Sequence, residues 1–277
     1  MKTDNNPTLK EKCKSQQNAC DYRLASTDYV LVHVDGRSFS KMIKNKFKKP
    51  FDQDFIDMMN QTAVYLCENV AGTKIAYVQS DEISLFISKD RPESDIFFGG
   101  RLCKMQSIIA SLATAKFNQL FAKYNLEQTK NSEDYRFENV IEKIINMNLV
   151  QFDCKVWDVP SANDAFAWFL FRNIDCVRNS KQQAAQSWCS HKELMGLNTD
   201  EQVQYLKDKH GIDWNDFSDG EKFGRLITRV DEEHTVTLTN GENVTFMRSK
   251  FTVTPGLNLT DIESRNKFFI ENPYFEK

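Results

Sequence analysis

No apolar run in the 277 residues approaches the roughly 18 that a bilayer crossing needs. The opening stretch, MKTDNNPTLKEKCKSQQ, lacks the apolar centre of a signal peptide and carries acids with little arginine, which argues against a mitochondrial presequence. The seven cysteines (Cys13, Cys20, Cys67, Cys103, Cys154, Cys176 and Cys189) contain no Cys-x-x-Cys pair, and the four histidines are scattered. An odd, unpatterned set of this kind points away from a disulfide framework or a zinc site and toward reduced thiols inside a cell. The cytoplasm is the expected location. Internal repeats and low-complexity segments are absent. Charge is nearly balanced, with 36 basic against 39 acidic residues and a net charge of −3. That excludes wholesale coating of nucleic acid but leaves room for a local basic patch.

What is present is an ordinary globular composition, 40% apolar and 27% charged, with 21 phenylalanines to fill a bulky core. The length suits one large domain, or a domain with a substantial appendage.

A polar start includes a helix around 8–20. Residues 28–34 form an apolar run that suits a central strand covered on both faces, and Asp35-Gly36 ends it. Pro50 stops the lysine-rich stretch before it. Apolar spacing then predicts a helix over 51–69 with Gly72 as its cap. A hairpin follows at 75–88, a loop at 89–95 and an amphipathic helix over 96–124. Residues 126–145 take no assignment, and 147–158 reads as another strand. The order β-α-β-β-α-β is that of a ferredoxin-like, α+β sheet, the arrangement nucleotide polymerases use as a palm. Ser161 caps a further helix that runs through Phe166, Trp168, Phe169 and Phe171. Helical stretches at about 179–195 and 199–209 come next. Strong alternation from Gly224 to Pro255 around Asn240-Gly241 predicts a C-terminal β-hairpin. The expected division is a palm-like catalytic portion, 1–160, and a helical appendage with the hairpin, 161–277.

Chemistry concentrates at two strand ends. Asp35-Gly36 closes one strand, and Gln79-Ser80-Asp81-Glu82 forms the turn of the hairpin. Asp35 and Asp81, with the Gly36 carbonyl, are oxygen donors of the kind Mg²⁺ prefers, completed by water and substrate phosphates; either Asp alone at a strand end is more usually a turn residue, and it is the pair that points to metal. Arg101 and Lys104 sit three apart at the start of a long helix, fit either for a triphosphate or RNA 5′ end or for plain solvation. The lysines at 41, 44, 46, 48 and 49 offer either phosphate neutralisation or a solvated loop face. Asn179, after Arg178, is either a ligand contact or a helix cap.

The strings Asp35-Gly36-Arg37-Ser38-Phe39-Ser40, Lys49-Pro50-Phe51-Asp52 and Gln79-Ser80-Asp81-Glu82, in this order and spacing, resemble the tRNA(His) guanylyltransferase family and its Thg1-like relatives. Phe152-Asp153, Pro160, Asp175-Cys176 and Gly211-Ile212-Asp213-Trp214-Asn215 fit later blocks, so the likeness covers about 20–230 and leaves 231–277 unmatched. The resemblance implies that Asp35, Asp81 and the Gly36 carbonyl hold two magnesium ions, with Glu82 behind them. It implies that Arg37, Ser38, Phe39, Ser40, Lys49, Asp52 and Ser80 line a site for ATP, GTP or other NTPs. Arg101, Lys104, Arg178 and Asn179 would meet triphosphate or RNA. It further implies a homotetramer acting on tRNA: ATP activates a 5′-monophosphorylated end, the 3′-hydroxyl of an NTP attacks it, and phosphates leave. Two departures stand out. The His-Ile-Asn-Asn-Leu-Tyr-Asn block of guanylyltransferases proper is replaced by Val177-Arg178-Asn179-Ser180-Lys181-Gln182-Gln183, and His33 stands where many members have Arg. The first favours the Thg1-like branch, which rebuilds truncated 5′ ends against a template. Addition of a single G to tRNA(His), a nucleotide cyclase and an inactive RNA-binding palm are the alternatives.

Overall fold

A computed structural model describes residues 7–39, 46–130, 142, 146–237, 239 and 241–275. Ser40, Lys41, Lys44, Ile141, Ile144, Ile145 and Asn240 lie outside them. Helix α1 (Leu9–Asn18) opens with a capping box in which Thr8 and Glu11 satisfy each other's backbone N–H groups. The longer elements that follow are β1 (Val30–Arg37), α2 (Gln53–Asn69), β2 (Thr73–Gln79), β3 (Glu82–Ile87), α3 (Leu102–Lys130), β4 (Gln151–Asp158), α4 (Ala162–Trp188), α5 (Thr199–His210), β5 (Arg225–Thr237), β6 (Asn243–Pro255) and α6 (Ile262–Glu271), with short helices at His191–Leu194 and Asp219–Lys222.

The strands form one sheet in the order β4-β1-β3-β2-β5-β6, with every neighbouring pair antiparallel. The first four strands have the ferredoxin-like order expected from the sequence. The C-terminal hairpin extends the same sheet from β2, so strands on both sides of residue 160 share it.

Side-chain alternation gives β1 two buried faces. Val30, Val32 and Val34 join Val78, Ile83 and Leu85 against α2 and α3, through Met59, Ala63, Met105, Ile109 and Phe117. Leu31 joins Ile75, Tyr77 and Phe86 on the other face, beneath Ala165, Phe166 and Phe169 of α4 and Phe268 of α6. The segment after the hairpin, unmatched by the sequence reading, therefore closes a core: Phe275 stacks on Phe86 at 5.0 Å. A separate small core of Ala184, Ala185, Leu194, Leu206 and Trp214 holds the helical appendage. Asn173 of α4, fully buried, ties these parts together. Its Nδ2 donates to the Tyr77 hydroxyl at 3.3 Å and to the carbonyls of Phe223 and Leu257 at 3.1 and 3.0 Å, and its Oδ1 accepts from the Leu259 N–H at 2.9 Å.

Several boundaries differ from the sequence reading, and α3, expected to end at 124, runs on to Lys130. The helix expected from residue 96 begins at Leu102, because Phe98, Gly99 and Gly100 take φ values of 53°, 56° and 72°, left-handed geometry that a right-handed helix cannot absorb. The strand expected from 147 starts at Gln151. The two helices expected between 161 and 195 are one continuous helix, α4, as far as Trp188, followed by a separate short helix at His191–Leu194, so Asn179 lies in a helix interior and caps nothing. Helix α2 ends at Asn69 with Val70 as its C-cap, and Gly72, at φ 88°, belongs to the turn into β2.

Candidate active site

The site lies at the end of the sheet where β1 runs out and β2 turns into β3. Asp35 faces Glu82 across β1–β3 and Asp153 across β1–β4. Directly opposed residues share a face, so these carboxylates are neighbours. Asp81 occupies the turn itself, and its carbonyl accepts the Gly36 N–H at 3.1 Å, which fastens the two loops to each other. Gly36 is required here: a Cβ would stand 2.4 Å from Phe39 Cδ2 and 3.0 Å from Asp81 Cβ. Ser38 and Ser80 hold φ values of 61° and 44°, a costly conformation for residues other than glycine. The Ser80 hydroxyl donates to Asp81 Oδ1 at 2.8 Å.

A cavity of about 490 Å³ opens at this point. Of the residues singled out in the sequence, Asp35, Gly36, Ser38, Phe39, Lys49, Asp52, Ser80, Asp81 and Asn179 line it. Phe39 reaches it from the core, its ring packed 5.0 to 6.1 Å from those of Phe152, Phe117 and Phe55. Asp52 is both lining and scaffold. It caps α2 by accepting the Phe55 N–H at 3.1 Å and holds the Lys48 N–H at 2.8 Å, which fixes the loop that presents Lys48 and Lys49.

Other candidates lie outside this wall. Glu82 is engaged by the Arg172 guanidinium at 2.7 Å and by Gln79 Nε2 at 3.0 Å. Arg37 reaches Gln151 at 3.2 Å. Arg101 pairs with Asp21 at 2.9 Å, and Lys104 sits over the Phe98 ring at 5.3 Å. Arg178 pairs with Asp175, and Asn179 also donates to that carboxylate. Lys46 lies over the Phe121 ring at 4.9 Å.

The electrostatics mark the carboxylates as strained. Burial pushes the Asp35 carboxyl above its ordinary value, and Asp153 beside it adds to the push. Burial also raises Asp81, opposed by the Ser80 hydrogen bond and reinforced by Asp35. Glu82 is raised by burial against the pull of Arg172. Burial drops His33 to about 4, leaving it neutral, with its ring edge-on to Trp168 at 5.3 Å. Among the described residues neither Asp35 nor Asp81 joins an ion pair, and no three His, Cys, Asp or Glu side chains form a ready-made metal centre. Two repelling carboxylates and a backbone carbonyl at the mouth of a cavity make an incomplete, all-oxygen donor set. It fits a hard divalent cation whose remaining ligands come from water and phosphate. The same set lacks the nitrogen and sulfur ligands zinc takes.

Three residues at or beside this site escaped the sequence reading. Asp153 was visible only within a motif. Arg172 lay inside an aromatic run that reads as core. Arg225, at the start of β5, lines the cavity from 190 residues beyond Asp35. The Arg172–Asp175 spacing of three along a helix was the one available signal.

Residues 10–160 match the family model described as tRNAHis guanylyltransferase. The chain is 26% identical over 234 residues to an uncharacterised protein of Acanthamoeba polyphaga mimivirus, covering 81% of this chain and 78% of that protein. It is 32% identical over 225 residues to the tRNA(His) guanylyltransferase of Schizosaccharomyces pombe, covering 76% and 78%. Among solved structures it is similar to a bacterial tRNA(His) guanylyltransferase (Thg1)-like protein in complex with ATP. The TM-score is 0.74 at 27% identity, over 95% of this chain and 99% of the other. A GTP complex of a bacterial protein so described matches with TM-score 0.68 at 27% identity, over 98% and 100%.

Proposed function

The chain belongs to the tRNA(His) guanylyltransferase family, and we propose that it is a magnesium-dependent nucleotidyltransferase adding NTPs in the 3′-to-5′ direction to the 5′ end of tRNA. The observation that carries this reading is the pairing of Asp35 and Asp81 at one cavity, with no ion-pair partner among the described residues and beside Lys49, Asp52 and Ser80. Solved structures of similar proteins in complex with ATP and with GTP support the nucleotide assignment.

Asp35, Asp81 and the Gly36 carbonyl would hold magnesium, which when bound neutralises charge on the phosphoryl oxygens. The chain's own groups do the rest. Lys49 offers a cation to the triphosphate, and Asp52 holds the Lys48–Lys49 loop in place while facing the nucleotide. Ser80 keeps one oxygen of Asp81 turned by its hydrogen bond. Arg172 holds Glu82 behind Asp35, where it adds negative field without leaving the sheet. Displacement at phosphorus needs positioning and charge neutralisation above all, so this frame suits both activation of the RNA end by ATP and attack by the 3′-hydroxyl of an incoming NTP. The homotetramer, the cytoplasmic location and the division of labour between residues 1–160 and 161–277 are part of the same proposal.

The test is extension of a 5′-truncated, 5′-triphosphorylated tRNA with Mg²⁺ and each NTP in turn, with Asp35→Ala and Asp81→Ala alongside. Triphosphorylated RNA bypasses activation. Template-matched addition by the parent, lost in both variants, is the expected result. Addition of G alone to an RNA without a templating base would move the assignment to strict guanylylation. Absence of any addition across several tRNAs would overturn it.

A further inference from the structure

We propose that Cys20 and Cys103 are a modification site, where a peroxide joins the two thiols in one reversible disulfide that fastens the N-terminal segment to the start of α3.

Both thiols are exposed. The chain between α1 and β1 runs antiparallel to the chain entering α3, with Arg23 bridged to Arg101. The Leu102 N–H donates to the Tyr22 carbonyl at 2.9 Å, and the Leu24 N–H donates to the Gly100 carbonyl at 3.0 Å. Arg101 Nε donates to Asp21 Oδ1 at 2.9 Å, and Arg23 Nη1 to the Gly99 carbonyl at 3.2 Å. This strip holds together two cysteines that lie 83 positions apart, and the Cys103 thiol donates to the Cys20 carbonyl at 3.4 Å. A carbonyl oxygen lies about 2.4 Å from its own Cα, which puts the Cys103 sulfur within about 6 Å of the Cys20 Cα. A turn of the Cys20 side chain and a small backbone adjustment then bring sulfur to sulfur.

The other cysteines do not compete. Cys67, Cys176 and Cys189 are buried. Burial pushes the Cys154 thiol up to about 12, which withholds the reactive thiolate. Cys13 is exposed but sits in α1. Helical rise sets it roughly 10 Å from Cys20, beyond bridging range.

Peroxide oxidises one thiol to a sulfenic acid and releases water. The second sulfur displaces the hydroxyl as another water, so the S–S bond forms as two electrons pass from the thiols to peroxide oxygen. A dithiol reductant reverses the bond by exchange. A single exposed pair of this kind differs from a structural framework, because in a reducing compartment it closes and reopens. Helix α1 has no buried residue of its own, and the bond ties the segment it leads into to a helix that packs on the sheet.

The experiment treats the reduced full chain with hydrogen peroxide, blocks the remaining thiols and maps non-reduced tryptic peptides by mass spectrometry. Trypsin separates Cys13, Cys20 and Cys103 into different peptides. The parent should show residues 15–23 joined to 102–104 within a monomeric chain, and a dithiol should release them. Cys20→Ser and Cys103→Ser, each checked for folding by thermal melt, should lose the joined peptide, and Cys13→Ser should keep it. A bond from Cys13 to either partner, a bond only between two chains, or oxidation of Cys20 and Cys103 to sulfinic acids without joining overturns the proposal.

Discussion

The helical appendage and the sheet end behave as opposites. In the appendage the helix ends follow the local rules. Asn198 caps α5 through the N–H groups of Asp200 and Glu201, Glu201 returns the bond, and Gly211 closes the helix at φ 70°. Ser218 and Glu221 form another capping box, and Ser190 with Glu193 a third. At the sheet end the rules are broken together. Serines hold positive φ, acids are buried beside acids, and two buried arginines, Arg172 and Arg225, each keep one nitrogen without a hydrogen-bond partner among the described residues. Departures of several kinds gathered at one cavity mark where binding and catalysis have displaced stability.

Substitutions break this comparison in graded ways. The largest effect is expected from Asp81→Asn, which should lower nucleotide addition about a thousandfold or more while raising the melting temperature of the metal-free protein. A fall in both would mean that Asp81 supports the fold. Gly36→Ala should come next, destabilising by about 1–3 kcal/mol in urea unfolding, because the new methyl collides with Phe39 and presses on Asp81 Cβ. Unchanged stability would show that the loop gives way. A smaller effect concerns pH. Asp35 and Asp81 are raised in the folded chain, so the native state binds protons more readily than the unfolded one. The metal-free protein should therefore gain stability as pH falls through the raised native range toward the ordinary carboxylate value. In Asp81→Asn this gain should shrink, and saturating Mg²⁺ should abolish it. The smallest effect belongs to the appendage: Asn198→Ala should cost about 1 kcal/mol and leave activity intact.

The half of the site carried by contiguous motifs was legible in the sequence. Asp81-Glu82 sits in a hairpin whose strands alternate cleanly, Asp35-Gly36 ends an apolar run, and the two meet because the sheet order is the one the element order implies. The other half arrives by long-range pairing that periodicity does not encode. Arg172 reaches Glu82 from 90 residues away, and Arg225 enters through a strand pairing with β2 that no local signal specified. The start of α3 was misread for a related reason. Ile96 and Phe97 fit the helical period, but the backbone of Phe98-Gly99-Gly100 turns left-handed, and periodicity is blind to the sign of φ. The run from Phe166 to Gln183 looked like two helices because α4 changes surroundings along its length, from a sheet-covering aromatic face to the appendage.

Asn173 carries a consequence of another kind. Its amide donates toward three oxygens and accepts from one N–H, and so joins β2, the segment before β5 and the segment after β6. Aspartate has the shape but would set a carboxylate against two carbonyls. Glutamine has the chemistry but reaches one methylene too far into a fully closed space, and serine falls short of both carbonyls. Each of these three replacements thus fails for a different reason. Three stretches of chain that diverge freely elsewhere are obliged to keep their backbones in step around it.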